Sequence, residues 1–355
     1  MKELLRVEEL TVDFGAHEGT LRAVDHVSFS LPPGGTLALV GESGSGKSVC
    51  SQAIMGLLPR TATISSGSIL FDDPRGNGKT KPVDIAALDR AGPEMRTIRG
   101  GAISIIFQEP MTSLSALHTV GDQIGEAVEL HGGGHFSNIH SLGDQISEAA
   151  QLSGRKLSRA EIEALTVDML RMVGFPDPKR ALRTYPFELS GGLRQRAMIA
   201  MALICGPKLL IADEPTTALD VTIQAQILEL LRSLRDALGL SILLITHDLG
   251  VIAELCDEVV VIYAGRVAEQ GPVAQVLGHP RHPYTAGLLA ASPRRSRRGA
   301  PLPAIPGLVP SPDERGIGCS FLRRCPRHLD CCATITPPLD ATTKGSAAAC
   351  WNPVA

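Results

Sequence analysis

Apolar and polar residues alternate from Leu4 to Phe14 and again from Ala23 to Leu31, the period of half-buried strands. Pro32-Pro33-Gly34-Gly35 closes the second run as a turn. The continuous apolar run Thr36-Leu37-Ala38-Leu39-Val40 reads as a buried strand, and a helical pattern from Val49 to Leu58 follows it. Ser68-Ile69-Leu70-Phe71 predicts a further short strand, Asp72 to Lys81 a surface loop, and Ile103 to Phe107 a core strand. From about Met111 to Leu189 the period turns helical; Leu165 to Val173 is amphipathic, and Gly174, Pro176 and Pro178 stop it. Within that stretch the segment at 117–127 is repeated at 139–149, a local duplication joined through Gly132-Gly133-Gly134 and too short for a solenoid. Its histidines, His118, His131, His135 and His140, read as solvated polar residues. Ala197 to Ile204 and Ile223 to Leu238 are helical, and Leu209 to Glu214 and Leu240 to Ile245 are buried strands.

One stretch carries the strongest chemistry. Gly41-Glu42-Ser43-Gly44-Ser45-Gly46-Lys47-Ser48 lies between an apolar strand and a helix start, so it fits the phosphate-binding pattern GxxxxGK[ST] in its proper context. Its glycines let backbone N–H groups approach phosphate oxygens, and the helix N-terminus adds its positive dipole end. Lys47 is placed to reach the β- and γ-phosphates, and Ser48 to give an oxygen to Mg²⁺. Gln108 ends a core strand, where a glutamine reaches a bound Mg²⁺ or the attacking water, or else stays solvated. Leu189-Ser190-Gly191-Gly192-Leu193-Arg194-Gln195-Arg196 places a serine and two glycines at a helix start, a second anion-binding terminus. The strand from Leu209 ends in two acids that point different ways, so Asp213 suits Mg²⁺ and Glu214 the nucleophilic water. Thr217-Ala218-Leu219-Asp220 makes a turn, and His247 ends a strand at the edge where α/β ligands gather. Phe14, at the end of the first strand, offers a ring face to adenine or belongs to the core.

At 355 residues the chain has room for a full α/β domain of about 250 residues plus an appendage, and 44% apolar residues allow a sizeable core. A formal net charge of -3 leaves no basic footprint for nucleic acid. No apolar run reaches the roughly 18 to 20 residues that span a bilayer, and Met1-Lys2-Glu3-Leu4-Leu5 has no signal-peptide core, so a soluble, cytosolic chain is expected. Cys50, Cys205 and Cys256 sit in apolar surroundings as small core residues. Cys319, Cys325, Cys331, Cys332 and Cys350 crowd near the end, where a reducing cytosol favours metal over disulfides.

Taken in this order, the segments resemble the ATP-binding cassette (ABC) family of ATPases. The resemblance implies a P-loop NTPase fold with a RecA-like core, an antiparallel β subdomain and a helical signature subdomain at about 111–195. Gly41 to Ser48 corresponds to Walker A, Gln108 to the glutamine loop, Leu189 to Arg196 to the signature, Leu209 to Asp213 to Walker B with Glu214 following, Asp220 to the D-loop and His247 to the switch histidine. Phe14 matches the family's adenine-stacking aromatic, usually a tyrosine. Phe107 to Leu114, Ala212 to Asp220, and His282-Pro283-Tyr284-Thr285 with Leu288-Leu289 are similar to the D-type subunit of oligopeptide/dipeptide importers. That implies an ATPase domain over 1–265 and an importer-type extension over 266–355. It further implies ATP and Mg²⁺ as ligands, two transmembrane permeases, a second and preferably different ATPase subunit, an extracytoplasmic solute-binding protein, and a peripheral place on the cytoplasmic face of the inner membrane. Relatives import peptides or, in some cases, nickel chelates or glutathione. Soluble DNA-repair or ribosomal cassettes and non-hydrolysing regulatory cassettes remain as alternatives. The second copy at 139–149 departs from the family pattern where the membrane partner is gripped.

The gaps between Cys319, Cys325, Cys332 and Cys350 differ from the short C-x₂-C pairs of structural zinc. They resemble the importer family's extension, in which four cysteines hold a [4Fe-4S] cluster; zinc or free thiols stay open, and Cys331 competes with Cys332 for the third position. The basic segment Arg294-Arg295-Ser296-Arg297-Arg298 reads as a solvated linker.

Overall fold

The structure is a computed structural model that describes residues 2–16, 19–73, 81–108, 113–131, 156–217, 219–292, 303–341 and 345–354. The repeat at 139–149, the basic linker and most of the charged loop after Asp73 lie outside them. The chain forms two compact units, one of Met1–Asp72, Gly76–Ala87 and Leu244–Ala355, the other of Asp73–Arg75 and Leu88–Leu243. No helix among the described residues is long and apolar enough to cross a membrane.

The first unit opens with strands β1 (Leu5–Ala16) and β2 (Gly19–Leu31), then β3 (Thr36–Val40), helix α1 (Lys47–Ile54), β4 (Ala62–Phe71) and β5 (Val83–Asp84). Four of these make the expected antiparallel sheet, in the order β2-β1-β4-β5. Val7, Leu10 and Val12 of β1 turn inward while Arg6 and Glu8 face water, the alternation that made the strand legible. The register of β1 shifts between Val7 and Leu10, where Glu9 has a positive φ of 48°. β4 begins at Ala62, earlier than Ser68 where the apolar run starts, because only one of its faces is covered near that end.

The second unit carries β6 (Ile103–Ile106), α2 (Val120–His131), α3 (Arg159–Met172), α4 (Gly191–Leu203), β7 (Leu209–Asp213) and α5 (Val221–Leu238). β6 and β7 pair in parallel, Ile103 opposite Leu209. α3 starts upstream of the amphipathic run, on a reciprocal capping box between Ser158 and Glu161. α5 buries Ile227, Leu228, Leu231 and Leu234 along one face and ends at Gly239 in the left-handed region.

Within β8 (Ser241–Thr246) the chain returns to the first unit. There follow α6 (Leu249–Leu255), β9 (Glu258–Tyr263), β10 (Arg266–Pro272), α7 (Val273–Gly278), α8 (Pro283–Ala290), β11 (Asp340–Ala341) and β12 (Ala347–Ala348). In this unit the order β11-β12-β10-β9-β3 joins the C-terminal segment to the strand that feeds the phosphate loop. β3 and β9 are parallel, and every residue of β3 is buried. Tyr263, Tyr284 and Phe321 pack with Val40, Val259 and Val261 into one core cluster. Their ring centroids lie 4.6 Å (Tyr263 to Tyr284), 5.1 Å (Tyr263 to Phe321) and 5.5 Å (Tyr284 to Phe321) apart.

Candidate nucleotide site

The loop Gly41 to Ser48 connects the end of β3 to the first residues of α1. Two glycines are fixed by geometry: a Cβ on Gly41 would stand 2.2 Å from the Ile262 carbonyl, and Gly46 turns the chain at φ +104°. The Lys47 side chain is buried and donates to the carbonyls of Gly41 at 2.8 Å and Glu42 at 3.0 Å and to Ser45 Oγ at 3.4 Å. The ammonium therefore spans the mouth of the loop. Ser45 is fully buried and its carbonyl accepts from the Gly265 N–H, tying the loop to the start of β10. Ser43, Gly44 and Ser48 are exposed, so their polar groups face outward. Burial pushes the Cys50 thiol of α1 up to about 12, and Cys205 is buried as well, in keeping with small core residues.

His247, exposed, follows β8 in the same unit; Asp248 then caps α6 by accepting the Gly250 N–H at 2.7 Å. Phe14 stands two residues before the end of β1, opposite Leu21 and Ala62, with its ring partly buried.

The second unit gathers a cluster about Glu214. This residue has φ 48°, a left-handed conformation that is uncommon for a residue with a side chain and concentrates at functional positions. Its carboxylate Oε2 accepts from Gln108 Nε2 at 3.1 Å and from Thr217 Oγ1 at 2.8 Å. The sequence placed Gln108 and Glu214 separately; the structure joins them by a direct hydrogen bond. Thr217 was read only as part of a turn. The signal that finds it is its place three residues after Glu214, inside the bend closed by the Thr217 N–H donating to the Glu214 carbonyl at 3.1 Å. Asp213 ends β7, half-buried. Ser190 caps α4, its Oγ accepting from the Leu193 N–H at 3.4 Å, with Gly191 and Gly192 in the first turn. A Cβ on Gly192 would meet Ile223 of α5 at 3.0 Å. Asp220 caps α5, its Oδ1 taking the N–H groups of Thr222 and Ile223, both at 3.0 Å.

Among the described residues no group of three or more His, Cys, Asp or Glu stands close enough to hold a metal ion, so the C-terminal thiols do not form a ready single-ion site. What they share is subtler. Each of Cys319, Cys325, Cys332 and Cys350 accepts a backbone N–H at sulfur: from Phe321, from Arg327 at 3.4 Å, from Leu329 at 3.5 Å and from Asn352. Burial pushes Cys319 up to about 11, with smaller contributions from the charges of Cys332, Cys325 and Cys350. Cys331, besides its own burial, feels Cys332 alone of these thiols.

Comparison with known proteins agrees with this arrangement. Residues 24–217 match the family described as ABC transporter, and residues 268–332 match the oligopeptide/dipeptide transporter C-terminal region. The chain is 47% identical over 351 residues to the probable peptide ABC transporter ATP-binding protein y4tR of Sinorhizobium fredii, covering 98% of this chain and 95% of that one. It is 45% identical to the dipeptide transport ATP-binding protein DppD of Bacillus subtilis, over 99% of this chain and 95% of the relative. With the oligopeptide transport ATP-binding protein OppD of Salmonella typhimurium the identity is 44%, over 99% and 94%. Among solved structures, cbiO1 of Clostridium perfringens, part of the ABC transporter complex cbiONQ, aligns with a TM-score of 0.58 and 28% identity, covering 79% of this chain and 92% of that chain. The chain belongs to the ABC transporter family of ATPases, in the branch that carries the oligopeptide/dipeptide transporter C-terminal region.

Proposed function

We propose that this ATPase is the energising subunit of a di- or oligopeptide importer, acting from the cytoplasmic face of the cell membrane. The observation that carries the catalytic part is the hydrogen-bonded set Gln108–Glu214–Thr217, which holds a carboxylate in a strained, directed position. Peptide as the transported solute is supported by the peptide, dipeptide and oligopeptide named for the relatives.

In the proposed mechanism, the loop amides and Lys47 hold the β- and γ-phosphates of ATP, and Phe14 stacks on adenine. Mg²⁺, when bound, neutralises phosphate charge, and Ser48, Asp213 and Gln108 are the residues that would hold it. Glu214 orients water and takes its proton, with Thr217 fixing the carboxylate and His247 donating to the γ-phosphate. Ser190, Gly191, Gly192 and Asp220 serve the nucleotide held by a second cassette, a related partner in preference to an identical one. The division into an ATPase domain over 1–265 and an extension over 266–355 belongs to the same proposal.

The helical segment of the second unit fits a permease-docking role. Tyr185 and Phe187 stack at 5.5 Å with 38% and 59% of their surfaces exposed, and Leu117 is 84% exposed. A [4Fe-4S] cluster on Cys319, Cys325, Cys332 and Cys350 fits the four N–H···S contacts and their mutual electrostatic influence. Those four cysteines would hold it as thiolates, which backbone N–H donors stabilise. Purifying the tagged chain from membranes, with mass spectrometry of its partners and peptide-stimulated ATPase of the complex, tests the assignment. Two permeases and a sister ATPase are expected; ribosomes or DNA-repair factors in their place would sink it.

A further inference from the structure

Glu42 is the second residue of the phosphate loop, so its carboxylate stands where the loop must accept the negative charge of a polyphosphate. An uncompensated anion there opposes nucleotide binding, by Coulomb repulsion that is stronger near a protein surface than in water. Arg324 compensates it. Its two terminal nitrogens donate to Oε2 at 2.6 Å and Oε1 at 3.0 Å, a two-pronged ion pair.

Arg324 lies in the C-terminal extension between Cys319 and Cys325, with only 4% of its side chain exposed against 32% for Glu42. The guanidinium is already fixed by other contacts: Nε donates to the Pro306 carbonyl at 2.9 Å, one terminal nitrogen to Ile305 O at 3.3 Å, and the other to the Tyr263 hydroxyl at 3.4 Å. It also lies 5.7 Å from the centre of the Tyr263 ring. A second brace acts on the main chain, because the Glu42 N–H donates to the hydroxyl of fully buried Tyr284 at 2.9 Å. Lys47 bonds to the carbonyl of this same Glu42, so a displaced Glu42 would carry the lysine's partner with it and free a carboxylate to compete for the ammonium.

We propose that Arg324 is a positioning residue for ATP binding: it neutralises Glu42 and, with Tyr284, holds the first turn of the phosphate loop ready for the nucleotide. The C-terminal extension is then a working part of the ATP site in addition to whatever its cysteines bind. This rests on the reading of Gly41 to Ser48 as the ATP loop.

The test uses the full-length chain, with steady-state ATPase kinetics, Mg-ATP binding by calorimetry at two salt concentrations, and thermal melting to monitor folding. Arg324→Gln is expected to raise KM and Kd about tenfold, an effect that shrinks at high salt, while kcat changes less than about threefold. Tyr284→Phe raises KM about threefold. The decisive variant is Arg324→Gln combined with Glu42→Gln, because removing the exposed carboxylate returns KM to within about threefold of the parent. A merely structural arginine predicts no such rescue. A double variant no better than Arg324→Gln, or an unchanged KM in Arg324→Gln, overturns the proposal. Should Arg324→Gln not fold, Arg324→Lys keeps the charge and loses only the fork: a KM within about threefold of the parent is expected, and a KM raised about tenfold or more in a folded Arg324→Lys overturns neutralisation as the cause. A parent chain that binds no Mg-ATP removes the nucleotide reading itself, which is a different result from ATP binding indifferent to Arg324.

Discussion

Glu214 is held by three constraints: a left-handed backbone, the Gln108 amide at 3.1 Å and the Thr217 hydroxyl at 2.8 Å. Two donors on one oxygen fix the direction in which the carboxylate points. Glu214→Gln keeps the shape and removes the base, so kcat is expected to fall about a hundredfold or more while Mg-ATP affinity changes little. Single-turnover ATPase with parallel nucleotide binding checks both halves. Loss of binding together with turnover would assign Glu214 to the ground state instead. Thr217→Val removes one donor without changing the side-chain volume much, and a loss of kcat of about tenfold or more is expected, in line with about 1.5–3 kcal/mol for a hydrogen bond to a charged group. That residue was hidden in the sequence because its role is set by a bend. Gln108 and Glu214 were visible there because each ends an apolar run.

At the level of elements, helix ends show how one residue serves structure and chemistry together. Asp220 caps α5 with two N–H contacts, so Asp220→Ala is expected to lower stability by about 1 kcal/mol in denaturant unfolding, whatever it does to turnover. His282 caps α8: its Nδ1 accepts the Tyr284 N–H at 3.0 Å while the other ring nitrogen bonds the Ala349 backbone, so only the neutral ring fits. Burial pushes its pKa down from 6.5 to about 4. The unfolded chain binds a proton below pH 6.5 and the folded chain does not until about pH 4, so this residue removes stability as pH falls through that window, on the order of 3 kcal/mol in total. Buried Glu269 works the opposite way, since burial raises its pKa and favours the folded chain as pH falls. Melting profiles between pH 7 and 4 for the parent and His282→Gln separate the two; the variant should be less stable at pH 7 but lose less on acidification. An unchanged acid slope would show that His282 takes up its proton equally in the folded and unfolded chains, which overturns the assignment. The strands and the phosphate loop were legible because β3, β7 and β8 are continuous apolar runs and the loop has fixed spacing. The start of α3 was missed although Ser158 and Glu161 have capping-box spacing, since charge masks its first turn. Tyr284 was legible only as part of a family motif, because its partner Glu42 is distant in sequence and no local period links them.

For the whole molecule, the question is what joins the extension to the ATPase. β10, β11 and β12 continue the sheet of the first unit, and Phe321 enters its core cluster, so the extension and the phosphate loop share one hydrophobic core. A cofactor on the four cysteines would therefore add to the stability of the unit that contains the loop, because ligands that bind only the folded state stabilise it. If the cofactor is a [4Fe-4S] cluster, anaerobically purified protein carries about four irons with matching acid-labile sulfide. Cys332→Ser then loses most of that iron and lowers the melting temperature, whereas Cys331→Ser retains it, since Cys332 is the one thiol whose electrostatic influence reaches Cys331, while Cys319 feels Cys325, Cys332 and Cys350. Iron retained by Cys332→Ser and lost by Cys331→Ser would move the third ligand by one residue. Zinc in place of iron would replace the cluster with a single-ion site that requires the thiols to close in from the positions they hold, because no described group is gathered for one ion. Chelation of intact protein gives a further discrimination: removal of a cluster that braces this core should lower the melting temperature without abolishing Mg-ATP binding, as Arg324 reaches Glu42 through contacts of its own to Pro306, Ile305 and Tyr263.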